Sequence, residues 1–499
     1  MNIEIIPQPA KVEVPGGFFE SAGLPGIRGE GGFQDEIRLF REQLCADLGE
    51  ETGREPGIFC VEDRSLGGAE SYRMTLGRET IEIGAPSAGG LYHGLQALRQ
   101  LVLSGYHNRT LRIPCAHIED YPRFSWRGFM LDTSRHWYTP AFIRRILDLL
   151  SLHHINIFHW HLTDDQGWRF PVPEFPALAD TGSKRRNLRA PREAPAGGLY
   201  TPEDIRDLVA YAGARHITVV PEVELPGHTS AVLAAYPDLG CTGGPYQVED
   251  RFGIFEDVLC AGNDRVFDLA GAVFDTLTGL FPGPYVHIGG DEVLFSRWEA
   301  CPKCRKRRAE LGLSGARELQ GWLTARFAQM LLDRDRIPLG WDEVLEHAGA
   351  LPPEMVLMSW RNREWGRRAA AMGHRAVMSP VTGGCYLDYK HLDSPEEPGQ
   401  IGVSTVYQSY MMDPLDPAMT PEEAALILGG QGNLWSELIY ADRLAEYMIF
   451  PRICALAEAL WTPPEQKDFD SFAGRLRVHE ERLDRLNVLR YRGDPARPH

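Results

Sequence analysis

Residues Val286-His287-Ile288-Gly289-Gly290-Asp291-Glu292 close a short apolar run with two glycines and two consecutive carboxylates. A carboxylic acid can protonate a leaving oxygen, and a carboxylate can stabilise a developing positive charge, the two tasks that breaking a glycosidic bond demands. Consecutive residues at a strand end point in different directions, so this pair is poorly placed to flank one bond as acid and protein nucleophile. Divided duties follow: one carboxyl moves a proton, and the other orients a nucleophile that the protein does not own. Other apolar runs end in chemically related residues: Asp132 and Arg135, Asp164 and Asp165, Glu222, Glu224 and His228, then Trp341, Trp360, Tyr386 with Asp388, and Trp435 with Glu437. Carboxylates and an arginine suit sugar hydroxyls, while indole rings suit the apolar faces of a pyranose. Arg135 could equally close a buried ion network with Asp132 or Asp164.

The elements that must position these residues repeat along the chain. Eight short runs, several rich in β-branched residues, lead into amphipathic stretches: Gly128 to Leu131, Ile155 to Trp160, Ile217 to Pro221, Tyr285 to Ile288, Ile337 to Leu339, Met355 to Met358, Ala376 to Met378 and Leu426 to Leu428. Helix starts are marked by Thr139-Pro140, by Thr201-Pro202, and by Asn263-Asp264 before the stripe Val266, Phe267, Ala270, Val273, Phe274 and Leu277. Eight βα units predict a TIM barrel of α/β class, with its catalytic face at the carboxyl ends of the strands. No Gly-rich phosphate loop follows the first strand, which argues against a dinucleotide-binding open sheet. Before the barrel, alternating segments at Tyr72 to Leu76 and Ile81 to Ala85, with Leu91, Leu95, Leu98 and Leu101 at helical spacing, predict a smaller α+β domain. The expected domains are residues 1–118 (α+β), 119–465 (barrel) and 466–499 (a helical tail packed on the barrel).

Composition bounds the partners. A net charge of -17 excludes a general phosphate-backbone binder and disfavours nucleic acid and anionic membrane as partners. No run approaches the roughly 20 apolar residues of a bilayer span, and the first residues lack the basic and apolar regions of a secretory leader, so the expected location is cytoplasmic, or secreted if a leader has been removed. Nine scattered cysteines suit reduced thiols better than a disulfide framework. Cys301 and Cys304 form a lone CPKC without a second ligand pair at metal spacing, which speaks against a zinc site, whereas Cys241 and Cys260 could bridge in an oxidising compartment. His159-Trp160-His161 has the HxH spacing of metal-dependent barrel hydrolases, but the later strand ends carry Trp and Tyr where such a site needs further ligands. A glycan-binding protein without catalysis would keep the aromatic walls but need not keep both acidic residues. The expectation is therefore no metal and no cofactor.

The motifs RGFMLDTSRHW, HWHLTDDQGW, PEVELPGH, HIGGDE, GWDE, SW, CYLD and GNLWSE together resemble the β-N-acetylhexosaminidases of glycoside hydrolase family 20 over roughly residues 121 to 465. The first domain is similar to that family's N-terminal domain. The resemblance implies exo-acting, retaining hydrolysis of β-linked N-acetylhexosamines, with the sugar's own 2-acetamido oxygen as nucleophile and an oxazolinium intermediate. It implies Glu292 as general acid and then base, Asp291 orienting the acetamido group, and Tyr386 donating to its carbonyl. Trp341, Trp360 and Trp435 would wall the pocket, and Arg135, Asp164 and Glu437 would hold outer hydroxyls, supported by Asp388 and His228. A general acid near neutral pH needs a raised pKa, which apolar walls and an anionic Asp291 would supply to Glu292. The expected partner is a glycan or amino-sugar oligosaccharide. The stretches Arg185 to Gly198 and Tyr236 to Gly262 are candidates for outer subsites or for a subunit contact in a homodimer.

Overall fold

The computed structural model describes residues 3–185, 197–347 and 351–493; most of the Arg185 to Gly198 stretch lies outside them. Eight parallel strands close into a barrel: β1 (Trp126–Asp132), β2 (Ile157–His161), β3 (Thr218–Glu222), β4 (Tyr285–His287), β5 (Ile337–Trp341), β6 (Val356–Ser359), β7 (Ala376–Met378) and β8 (Ile427–Leu434), with β8 pairing to both β7 and β1. All eight coincide with the apolar runs of the sequence. β8 runs six residues past its expected end at Leu428, through Gly429-Gly430-Gln431-Gly432-Asn433-Leu434. Glycines and polar residues hide a strand from pattern reading, and here pairing on both edges overrides propensity.

Period-two alternation sorts the barrel residues into two layers. Phe158 and Trp160 of β2 face the helices within the main core, while Ile157 faces the barrel axis with Trp126, Val220, Leu339, Trp341, Val356 and Met358. On the same alternation His159 and His161 also face inward, where they meet Glu222, so the interior is apolar near Trp126 and charged towards the carboxyl ends. Helix starts follow the local signals. Thr139 accepts from the Phe142 amide at the head of helix Pro140–Leu152, and Thr201 forms a capping box with Asp204 at the head of Pro202–Gly213. In helix Arg265–Leu280 the cap comes from Asn263, whose side chain accepts from the Arg265 amide, and not from Asp264.

The N-terminal domain is a six-stranded sheet in the order Lys11–Glu13, Ala116–Asp120, Tyr72–Leu76, Ile81–Ala85, Pro56–Glu62, Gly26–Gly29, carrying helices Gln34–Leu48 and Ala88–Gly105. The boundary expected at residue 118 falls inside Ala116–Asp120. Pairing of Glu119 with Lys11 and of Asp120 with Tyr72 keeps the chain in the sheet two residues longer. Buried charges couple the domains: Arg99 bonds Asp47 at 2.7 Å and Asp148 of the barrel wall at 2.9 Å. The tail helix Phe469–Arg485 bridges both bodies and is not confined to the barrel. Its Arg475 pairs with Glu458 at 2.6 Å, and its Arg485 donates to the Leu103 carbonyl. Among the described residues, no helix is long and apolar enough to cross a membrane.

Candidate active site

A cavity of about 260 Å³ opens at the carboxyl ends of the strands. Ten of the eleven residues to which the family resemblance gives a role line it: Arg135, His228, Asp291, Glu292, Trp341, Trp360, Tyr386, Asp388, Trp435 and Glu437. Asp164 stands one layer behind, bonded to Arg135 at 2.8 Å. Both readings of Arg135 hold. Its guanidinium pairs with Asp132 at 3.1 Å and with Asp164, lies 3.7 Å from Glu437 and 5.0 Å above the Trp435 ring, and still faces the cavity. The ion network fixes the fork that a substrate would meet.

The loop after β4 sets the two central carboxyls apart. Gly289 has φ 66, and a side chain there would place its Cβ 1.8 Å from Glu224 Oε2, so only glycine fits beneath this turn. Glu292 itself sits at φ 51, a left-handed conformation rare for such a residue and concentrated at functional sites. Asp291 consequently turns inward, its side chain 12% exposed, while Glu292 faces the opening at 31%. Both reach one imidazole: His228 Nε2 lies 3.4 Å from Glu292 Oε2 and 3.8 Å from Asp291 Oδ2, and its Nδ1 lies 3.0 Å from Asp165 Oδ2.

These contacts reverse the expected electrostatics of the pair. Burial raises the Glu292 carboxyl, but the hydrogen bond and charge of His228 outweigh it, and the pKa is lowered. Burial raises Asp291 to about 6, against the attraction of His228. His228 is itself raised: burial opposes its charge, and Asp164, Asp165 and Glu292 overcome that opposition. The expectation of a raised Glu292 failed because an imidazolium, invisible as a neighbour in sequence, lies 3.4 Å from its Oε2 and outweighs burial.

The walls are aromatic. Trp341 and Trp435 rings lie 5.8 Å apart, Trp360 stacks on Tyr386 at 6.4 Å, and the Trp435 side chain hydrogen-bonds the Tyr386 hydroxyl. Asp291 Oδ1, Trp341 Nε1, Asp388 Oδ1 and Glu437 Oε2 are buried and have no hydrogen-bond partner among the described residues. Unpaired buried polar atoms cost about 1–3 kcal/mol each, a cost that a ligand's hydroxyls and amide would remove. His159 and His161 lie below the cavity, where their nitrogens meet carboxylates: His159 Nε2 with Glu222 at 3.0 Å, His161 Nδ1 with Asp132 at 3.2 Å. Burial lowers His159 to about 4 and leaves it a neutral hydrogen-bond partner, whereas Glu222, Asp132 and Glu224 overcome burial at His161 and hold it as the cation of a buried carboxylate layer.

Sequence reasoning gave no role to several residues. Asp165 orients His228, Gln166 accepts from Arg135 Nε at 3.0 Å, and Glu343, raised by burial to about 8, accepts from Trp360 Nε1 at 2.8 Å. All three sit in the quoted motifs, so their position was legible and their partners were not. Tyr389, Gln400 and Ile401 also line the cavity; Gln400 and Ile401 open the short strand Gln400–Val403, which pairs with Tyr389–Lys390 and has no periodicity or motif in the sequence to mark it.

Residues 124–464 match the family described as glycosyl hydrolase family 20, catalytic domain, and residues 2–121 match its domain 2. The chain is 38% identical over 471 residues to a beta-hexosaminidase of Porphyromonas gingivalis, covering 93% of this chain but only 60% of that protein. It is 31% identical to a beta-hexosaminidase of Akkermansia muciniphila, covering 89% and 90% of the two chains. Its fold is similar to that of the GH20 exo beta-N-acetylglucosaminidase of Vibrio harveyi in complex with N-acetylglucosamine, with TM-score 0.91, 30% identity, and coverage of 99% of this chain and 79% of the other. It is also similar to a mutant Streptomyces plicatus beta-hexosaminidase in complex with product GlcNAc, with TM-score 0.87, 28% identity, and coverage of 99% and 98%.

Proposed function

Since the chain belongs to glycosyl hydrolase family 20, we propose that it is an exo-acting, retaining β-N-acetylhexosaminidase releasing terminal β-linked GlcNAc or GalNAc by substrate-assisted catalysis. One observation carries the reading: Asp291 and Glu292 lie against the same nitrogen of one imidazole, Glu292 towards the opening and Asp291 turned inward with its Oδ1 buried and unpaired among the described residues. A two-carboxylate retaining mechanism needs an acid and a nucleophile on opposite sides of the anomeric carbon, about 5 Å apart. Here the second carboxylate is free to orient the substrate's acetamido group.

In the first step the acetamido oxygen attacks the anomeric carbon as the glycosidic bond breaks, and the bonding pair leaves on the aglycone oxygen, which takes a proton from Glu292. Asp291 as an anion stabilises the positive oxazolinium ring, Tyr386 donates to the acetamido oxygen, and the tryptophans hold the ring plane. Glu292 then accepts a proton from water, whose oxygen attacks the anomeric carbon and opens the oxazolinium with net retention. His228 supplies the proton that Glu292 lacks in the free site. Its Nε2 lies 3.4 Å from Glu292 Oε2, and an aglycone covering Glu292 would desolvate that carboxylate and draw the proton across.

An aryl β-N-acetylglucosaminide is expected to turn over, and the matching aryl β-glucoside, lacking the acetamido nucleophile, to be inert. Comparable kcat/KM for both would overturn the mechanism. Asp291 must be ionised to stabilise a cation, so kcat/KM is expected to fall as pH drops through about 6 and to hold above it. A pH profile flat down to the ordinary aspartate range would contradict that role. A reducing, cytoplasmic setting fits nine cysteines of which none is joined in a disulfide.

A further inference from the structure

Two pairs of cysteines far apart in sequence meet behind the active site. Cys241 follows the short turn Pro237–Leu239, Cys260 precedes helix Arg265–Leu280, and Cys301 and Cys304 lie at the head of helix Pro302–Glu310. Their four sulfurs all lie within 4.8 Å of one another. Cys260 Sγ is 3.5 Å from Cys304 and 3.8 Å from Cys301, and Cys241 Sγ is 3.8 Å from Cys304. We propose that Cys241, Cys260, Cys301 and Cys304 bind a structural zinc ion.

Three features support a metal centre over two disulfides. A tetrahedron with zinc–sulfur bonds of about 2.3 Å has edges of about 3.8 Å, the separation seen here, whereas disulfide sulfurs stand about 2.05 Å apart. Cys260 is almost equidistant from Cys301 and Cys304, as ligands around a common centre are and paired thiols are not. The surroundings also place positive charge around the cluster. The Gly262 amide donates to Cys260, Cys301 and Cys304 occupy the positive end of their helix, and that helix carries Lys303, Arg305, Lys306, Arg307 and Arg308. Close packing of the two loops depends on Gly262, where an added Cβ would stand 2.2 Å from the Lys303 carbonyl carbon. The lone CPKC motif therefore does have a second pair, delivered by a different loop.

The site would clamp both ends of the loop between Cys241 and Cys260. That loop reaches the active centre: the Glu249 amide donates to the Asp165 carbonyl, and the Arg251 carbonyl accepts from Gln166, which holds Arg135. Metal loss should loosen the loop and weaken Arg135, raising KM more than it lowers kcat.

The test is elemental analysis of the whole protein produced in zinc-supplemented medium. About one zinc per chain is expected, released by a mercurial thiol reagent. Exchange with cobalt should give the thiolate-to-metal absorption of a tetrahedral sulfur site in the wild-type chain, a readout that needs no variant. Cys301→Ser with Cys304→Ser should abolish binding, and Cys45→Ser, at an exposed cysteine elsewhere, should retain it. Substoichiometric zinc together with no cobalt spectrum would overturn the proposal. So would a thiol titration in denaturant that falls four short of the nine cysteines, because the cluster would then be two disulfides.

Discussion

Glu292→Gln is expected to lower kcat by about 100- to 10,000-fold on substrates whose aglycone leaves poorly, the span attributed to general acid catalysis. The loss should shrink sharply on aryl glycosides with acidic leaving groups, because such oxygens depart without a proton. Glutamine keeps the volume and can still bond His228 at the 3.4 Å contact, so the fold and KM should change little. The readout is the dependence of log kcat on leaving-group pKa, steep in the variant and shallow in the wild type. A uniform loss across all leaving groups would remove Glu292 from the role of acid. Because His228 keeps Glu292 ionised in the free site, the proton must cross from His228 when substrate binds, and the acid therefore depends on a neighbour as well as on its own burial.

Asp291→Asn should separate activity from stability. An amide cannot carry the charge that stabilises an oxazolinium ring, and loss of one preorganised electrostatic contact of this kind costs about 100- to 1,000-fold in kcat. Stability should move the other way. The Asp291 carboxyl is raised to about 6 from its ordinary 3.8, so between these values the unfolded chain ionises before the folded one. Below pH 3.8 there is no penalty. As pH rises from 3.8 to 6 the wild type loses about 3 kcal/mol, and the loss is constant above 6. Asparagine has no such term. Unfolding at pH 7 should show the variant to be the more stable protein, with the gain vanishing near pH 4. Equal stability at both values would mean that Asp291 is not held ionised at a cost. Sites that hold a charge against their surroundings for catalysis commonly give up stability in this way.

Much of the site was legible along the chain. Eight apolar runs marked eight strands, and the polar residues after each run marked the mouth, because period-two and helical patterns are local properties that survive any tertiary detail. The two glycines before Asp291 stood out in the run, but the turn they allow, with φ 66 at Gly289 and φ 51 at Glu292, appeared only in the fold. Elements without periodicity were harder to see. The extension of β8 through Gly429 to Leu434 and the cavity residues Gln400 and Ile401 carry no pattern, and the two-residue overrun of the first domain depends on which strand Glu119 and Asp120 find as partner.

The sequence alone thus marked the barrel and the strand-end residues that gather at its mouth, and its motifs implied the sugar class by their resemblance to a family. Only the tertiary structure decided which of the two carries the raised pKa. That order follows from a His228 imidazolium 3.4 Å from Glu292 Oε2 and 3.8 Å from Asp291 Oδ2, and from how deeply each carboxyl is buried. It alone also brought Cys241 and Cys260 to Cys301 and Cys304. The physical reason is shared: backbone periodicity is written in neighbouring residues, whereas Coulomb energy, desolvation and metal geometry depend on distances between residues that only folding makes neighbours.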